Sequence, residues 1–295
     1  MERNSRKTSE RNVLFTIVLN LIITITEIIG GVFSHSLSLI SDSMHNLSDT
    51  LAGALTLWTM NLSKKESNNK FTFGYKRAEI ISAFINSSIL AGLALILIKE
   101  AITKFANPIE IKTVTMFIVA LIGLISNIVG ALLLHKHSRE NINIRSAYLH
   151  LFSDAISSVG VVTASILMHF WHLNWLDPLI TILIAGYMLL ESAKIIKESI
   201  SILMECSPEL IDIDSLKEDL EKVKNVQNIH HVHIWRLTDK DTLFEAHVNV
   251  DNVRISDTKA IKKEIEKILN SKYNITHITI QFENKEHVNE SLIHH

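Results

Sequence analysis

The chain has 295 residues, 47% hydrophobic and 20% charged, with a formal net charge of −2 and a single cysteine. One cysteine, Cys206, excludes an intrachain disulfide framework, and near-neutral charge gives no support for a nucleic-acid partner. The mean hydropathy of +0.23 averages two unlike parts: residues 1–205 hold 32 charged side chains, and the much shorter 206–295 holds 28. The first part reads as membrane-embedded and the second as soluble, with the 15 histidines spread over both.

A bilayer core of about 30 Å needs roughly 20 mostly apolar residues in a helix. The charge-poor part offers six such stretches, at about 12–34, 37–62, 80–104, 112–136, 145–170 and 176–199. The third and fourth are uninterrupted, whereas the others carry ionisable residues. The first resembles a signal peptide, with Arg3, Arg6, Lys7 and Arg11 ahead of an apolar run. Its length, and the lack of a small-residue cleavage site before five further spans, favour a retained anchor. Lys and Arg crowd the N-terminal arm, the loop after span two (Lys64, Lys65, Lys70, Lys76, Arg77) and the loop after span four (Lys136, Arg139, Arg145). The opposite turns hold at most Lys104 and Lys112, so both termini are expected in the cytoplasm. Trp171 and Trp175 fall in an outer turn, where interfacial aromatics belong.

The C-terminal part reads as α-β-β-α-β. Residues 209–224 are helix-periodic, and IHHVHIWRL and TLFEAHVNVD are strands joined through Asp239, Lys240 and Asp241. Residues 256–270 form a second amphipathic helix from a Ser256-Asp257 cap, and HITIQFE closes as a third strand. The expected fold is an α-helical membrane protein with six transmembrane helices plus a C-terminal α+β ferredoxin-like cytoplasmic domain. Its parts are an N-terminal arm (1–11), a transmembrane domain (12–205), the cytoplasmic domain (206–285) and a C-terminal tail (286–295). Ile-, Lys- and Asn-rich usage suits a bacterium, making the inner membrane the expected location.

Span two contains SDSMHNLSD. His45 and Asp49 stand at i and i+4 on one helix face, and Asp42 and Ser38 extend the stripe. Span five repeats the spacing in HLFSD, with His150 and Asp154. An intramembrane carboxylate costs at least a few kcal/mol unless it is partnered, so its default reading is functional. Brought together, the four side chains offer two imidazoles and two carboxylates, a tetrahedral zinc set with bonds of about 2.0–2.2 Å. One divalent cation leaves that set neutral. Imidazole favours Zn²⁺, and also Co²⁺, Ni²⁺ or Cu²⁺, over Mg²⁺ and Ca²⁺. A single HxxxD pair reads equally as a packed histidine with an aspartate bonding between helices. Two pairs in two spans point to metal.

Other polar residues read less sharply. Asn20, Thr24 and Glu27 share a stripe on span one, as a hydrated path or as interhelical hydrogen bonds. Asp177, just before Pro178, suits a helix N-terminus, and Glu191 suits a snorkelling side chain. His135 and His137 are surface histidines or a transient metal-capture pair.

These residues resemble the cation diffusion facilitators, in the bacterial zinc, cobalt and cadmium efflux type. The resemblance rests on the two HxxxD pairs, FTFGYKRAEI after span two, WLDP before span six, and HHVHIW followed by EAHV and ITIQFE, and it runs from about residue 11 to 285. It implies a homodimeric metal/proton antiporter, with a transport site at His45, Asp49, His150 and Asp154 and a zinc-binding, dimerising cytoplasmic domain. Some members hold a further metal site in the loop after span two. Asn69, Phe71 and Tyr75 stand there in this sequence, so that site is expected to be missing. In the cytoplasmic domain the family's zinc positions fall on His230, His247 and Glu283. Strict strand alternation instead puts His231 and His233 on one face, opposite His230, with Glu245 and His247 on the open face of the second strand. His277, Thr279, Gln281 and Glu283 share the open face of the third. Which first-strand histidine ligates stays open, and so does a merely solvated histidine-rich face.

The expected activity is export of Zn²⁺ (with Cd²⁺ or Co²⁺) from the cytoplasm in exchange for protons. Metal binding needs deprotonated ligands, so metal and proton compete for one site, and alternating access turns competition into antiport. Two other readings use the same residues. A membrane zinc hydrolase lacks an HExxH motif and an open coordination position. A membrane-anchored metal sensor would not need HxxxD pairs inside its spans. Zinc binding to the cytoplasmic domain is a candidate regulator, with Lys76 and Arg77 placed to pair with Glu205 or Glu209.

Overall fold

The computed structural model describes residues 20–63, 65–135 and 142–284. The N-terminal arm, Lys64, Lys136, His137, Arg139 and the tail at 286–295 lie outside the described residues, and so does the side chain of His150. The chain forms two compact units. One runs to Trp58 and resumes over Ser82–Ile196; the other joins Thr59–Ile81 to Lys197 and onward.

Among the described residues six helices precede the C-terminal part: α1 (Asn20–Ser34), α2 (Leu37–Ser63), α3 (Ala78–Ala106), α4 (Thr113–His135), α5 (Ile142–Trp171) and α6 (Leu176–Leu203). Among the described residues, four segments are long and apolar enough to cross a bilayer, within α3, α4, α5 and α6. The described length of α1 is short for a span, and α2 falls short in hydropathy for a physical reason. It buries Ser38, Ser41, Asp42, Ser43, Asn46 and Ser48, while Leu51 and Trp58 face outward. Its polar side is the interior side. Elsewhere the outer surface is apolar, as at Ile29, Leu95, Ile96, Leu132, Ile156 and Leu190, which suits hydrocarbon and not water. This is an integral membrane protein.

Small residues set the interior packing. Ala120 and Ala164 sit in a buried cluster with Leu39, Met116, Val161 and Met168, and Ala94 and Ala185 pack with Leu97 and Met188. The α1–α4 contact is closer still. A Cβ at Gly123 would stand 2.5 Å from Glu27 Oε1, and one at Gly30 would stand 2.5 Å from Val119. Glycine lets these helices approach without a side chain between them.

Asp177 is fully buried, and it caps another helix instead of its own. Its Oδ1 accepts from Ser36 Oγ (2.6 Å), Ser38 Oγ (2.6 Å) and the Ser38 N–H (3.1 Å), and its Oδ2 accepts from the Leu37 N–H (2.8 Å). The carboxylate thus takes orphan donors at the positive end of α2 and ties α6 to it. Sequence placed Asp177 at a helix N-terminus; the helix it serves is 140 residues upstream.

In the second unit the C-terminal part is α7 (Ile213–Glu221), β1 (Val226–Arg236), β2 (Thr242–Val250), α8 (Ile255–Tyr273) and β3 (His277–Glu283). The sheet order is β1-β2-β3, with β1 and β2 antiparallel and β2 and β3 parallel through the α8 crossover. The α-β-β-α-β order is as expected, giving a small α/β domain with a three-stranded sheet. A ferredoxin-like pattern has a further strand in a split crossover; here β2 and β3 are direct neighbours. Leu216 and Leu220 of α7 and Ile261, Ile265 and Leu269 of α8 pack on Phe244, Ala246, Val248 and Val250. The first helix is shorter than 209–224 because Asp212 caps it, accepting from the Ser215 N–H and Oγ. The expected Ser256-Asp257 cap is not used: α8 starts one residue earlier, Arg254 is the cap position without a side-chain bond, and Ser256 bonds Asp257. Within this unit Lys76 pairs with Asp241 at 2.8 Å, Arg77 with Glu205 at 2.9 Å and Arg236 with Glu198 at 2.9 Å. The expected Arg77–Glu205 partnership forms; Lys76 goes to the β1–β2 turn.

Lys272, Tyr273 and Lys222 all donate to Asp219, and they hold its carboxyl well below the usual carboxylate range, Lys272 most strongly. The folded state binds this proton less tightly than the unfolded chain. The stabilisation is therefore full above the unfolded carboxylate value of about 4 and is lost as pH falls through the depressed folded value. Asp219→Asn is expected to flatten the fall in thermal midpoint below about pH 4, and an acid limb identical to the wild type would contradict it. Asp177→Ala strands four buried donors and is expected to destabilise the detergent-solubilised protein by at least about 3 kcal/mol, with Asp177→Asn intermediate. An unchanged unfolding midpoint would show that the α2–α6 tie is dispensable.

Candidate metal centres

The membrane centre is built on α2 and α5. Helical spacing puts Asp42, His45 and Asp49 on one face of α2, and the bundle turns that face inward. His45 Nε2 lies 3.5 Å from Asp49 Oδ2 and 4.0 Å from Asp154 Oδ1 of α5. Donors on a tetrahedral ion with 2.0–2.2 Å bonds stand roughly 3.3–3.6 Å apart, so a small inward movement brings these atoms to coordination spacing. The Asp154 side chain is 2% exposed, against 20% for His45 and 31% for Asp49. The centre is therefore sealed on the α5 side and open beside Asp49. His150 falls on α5 one turn before Asp154.

Several neighbours of this centre carry little signal in the sequence. Ser157 Oγ donates to Asp42 Oδ1 at 2.7 Å, and its signal was its place three residues after Asp154. The Tyr187 ring stands edge-on to His45 with centroids 6.3 Å apart. Asn46 Nδ2 donates to Glu27 Oε2 at 3.1 Å, so Glu27 serves the interhelical alternative. Thr24 instead turns its hydroxyl back onto the Asn20 carbonyl of its own helix.

The second centre lies on the three-stranded sheet, and strict alternation fails there. Cα partners run His230↔His247 and then His233↔Glu245, so His231 and Val232 together oppose Ala246. This is a β-bulge, with His231 in the left-handed region at φ 50. The bulge puts Val232 into the core and leaves His230 on the same face as His247. Ligand atoms of His230, His247 and Glu283 all lie within 4.8 Å of one another. Glu283 bridges them, with Oε2 3.3 Å from His230 Nε2 and Oε1 2.8 Å from His247 Nδ1. His230 and Glu283 are buried and His247 is partly open, a donor set with the composition and spacing to take a divalent cation. Of the first-strand histidines, His230 is the one brought to Glu283. His277 lies on the open face of β3 as expected, in line with Thr279 and Gln281, and meets the ring of Phe73 edge-on.

Residues 13–204 match the family described as the cation efflux transmembrane domain, and residues 208–285 match the cation efflux protein cytoplasmic domain. A "Cadmium, cobalt and zinc/H(+)-K(+) antiporter" of Bacillus subtilis is 40% identical over 272 residues, covering 91% of this chain and 87% of that protein. The "Zinc transporter ZitB" of Yersinia pseudotuberculosis is 34% identical over 281 residues, covering 95% and 89%. Among solved structures, the metal-bound C-terminal domain of the CzcD transporter from "Cuprividus metallidurans" is 30% identical, covering 25% of this chain and 99% of that one with a TM-score of 0.23.

Proposed function

The chain belongs to the cation efflux family, the cation diffusion facilitators, whose members are metal ion transporters and not enzymes, and from that premise we propose a secondary transporter that exports Zn²⁺ from the cytoplasm in exchange for protons. Cd²⁺ and Co²⁺ are alternative cargo. The observation that carries this reading is the approach of Asp49 and Asp154, from two helices, to one nitrogen of His45 inside a lipid-facing bundle. His150, one turn from Asp154, completes a His₂Asp₂ set. The hydrolase reading is set aside, since the family transports metal.

The chemistry follows from the donor set. Two carboxylates in low dielectric need positive charge, and either one divalent cation or protons supply it. Zinc binding requires deprotonated ligands, so each occupant displaces the other. Opening the site alternately to the two sides then couples outward metal flow to inward proton flow. The name of the Bacillus relative, which couples these metals to H(+) and K(+), supports the proton arm. α1, short over its described residues, and α2, weak in hydropathy, join the four apolar helices as the remaining spans of a six-span domain over 12–205. Both termini are cytoplasmic, in the inner membrane of a bacterium.

The cytoplasmic domain over 206–285 is read as an open-faced sandwich of ferredoxin-like type, one strand short, that dimerises and takes regulatory zinc at His230, His247 and Glu283. Its Lys76–Asp241 and Arg236–Glu198 pairs tie the domain to the chain leading into α3 and to the end of α6. Those ties give metal binding on the sheet a route to the spans.

Two outcomes test these readings. In proteoliposomes, Asp49→Ala is expected to abolish pH-gradient-driven zinc flux; flux at the wild-type rate would remove Asp49 from the site. Zinc at about 100 times its dissociation constant stabilises a protein by about 2.7 kcal/mol. Glu283→Gln is expected to lose most of the zinc-dependent rise in thermal midpoint of the cytoplasmic domain, and a full rise in that variant would dismiss the sheet centre.

A further inference from the structure

A regular strand alternates its side chains, so it shows one face either His230 or the pair His231 and His233, never all three. The bulge in β1 removes that limit. With His231 and Val232 sharing one position opposite Ala246, Val232 alone turns to the core, and the rings of His230 and His231 both meet His247. The His231 ring stacks on His247, with centroids 4.7 Å apart and planes at 30°. It meets His233 edge-on at 4.8 Å, and the two Nε2 atoms stand 3.3 Å apart. Two imidazole nitrogens bound at 2.0–2.1 Å at the tetrahedral angle are roughly 3.3–3.4 Å apart. The spacing is the bite of a metal chelate.

We infer that His231 and His233 form a second divalent-cation site on the sheet, a two-imidazole clip beside the His230–His247–Glu283 centre. Both side chains are partly exposed, so the ion enters from solvent and water fills the remaining positions. With two nitrogen donors the clip selects Zn²⁺, Co²⁺, Ni²⁺ or Cu²⁺ over Mg²⁺ and Ca²⁺, and it binds and releases more readily than the three-donor centre. The backbone agrees. A non-glycine residue at positive φ is uncommon and is held where the surroundings demand it, and here it aims a third imidazole at its neighbours. The clip uses no donor atom of the three-donor centre, so it does not depend on that centre's reading.

Equilibrium dialysis of the full-length protein in detergent against Zn²⁺, with metal per chain measured by mass spectrometry, separates the two. His231→Asn combined with His233→Ala is the first variant, because asparagine tolerates the left-handed backbone. His233→Ala alone, which leaves the bulge residue in place, carries the test if the double variant does not fold. The clip predicts one equivalent of Zn²⁺ fewer per chain in these variants, while Glu283→Gln loses a different equivalent and keeps this one. Unchanged zinc stoichiometry and isotherm in the clip variants would overturn the proposal, leaving an N–H···N hydrogen bond between two imidazoles. If the clip variants lose zinc and Glu283→Gln does not, the clip stands and the three-donor centre falls.

Discussion

A helix that buries serines, an asparagine and a carboxylate in the interior of an apolar bundle has little water to satisfy them, so its buried polar groups must find partners within the protein. α2 is that helix, and much of the membrane unit supplies its partners. Asp177 takes the donors at its N-terminal end, Ser157 reaches Asp42 from α5, and Glu27 takes the Asn46 amide from α1. Glu27 in turn fits only because position 123 on α4 has no side chain. The small residues at the helix contacts, the inverted polarity of α2 and the choice of neighbouring helices all follow from that one constraint.

The same constraint places the proposed transport chemistry. A polar inner face makes room for His45 and Asp49, and α5 brings Asp154 to the same nitrogen. Carboxylates kept this close in a low dielectric are stable only with positive charge among them. A cation and protons are interchangeable ways of providing it. The proposed exchange therefore needs no moving part at the ligands themselves beyond a change in which side they face.

Regular structure was readable from the sequence and irregular structure was not. Apolar runs marked the four long apolar helices, α3 to α6, to within a few residues, because span length and hydrophobicity are imposed by the bilayer. Period-two and period-3.6 patterns marked the strands and helices of the C-terminal domain. The failures lie where one residue overrides a period. Nothing in HHVHIW signals a bulge, since the left-handed residue is a histidine and not a glycine, and alternation then assigns His230 to the wrong face. Asp177 looked like a cap for the helix it begins because its true partners, Ser36 and Ser38, are distant in sequence. Pairings across such separations belong to the packed bundle and leave no local trace.

In the proposed exchange metal and protons occupy one set of ligands in turn. Recording Zn²⁺ and pH together in the lumen of proteoliposomes that start with a zinc gradient and no pH gradient puts this to the test. Zinc flowing down its gradient is expected to drive protons the opposite way, and Asp154→Asn is expected to remove both signals together. Zinc movement at full rate with no accompanying pH change would contradict it.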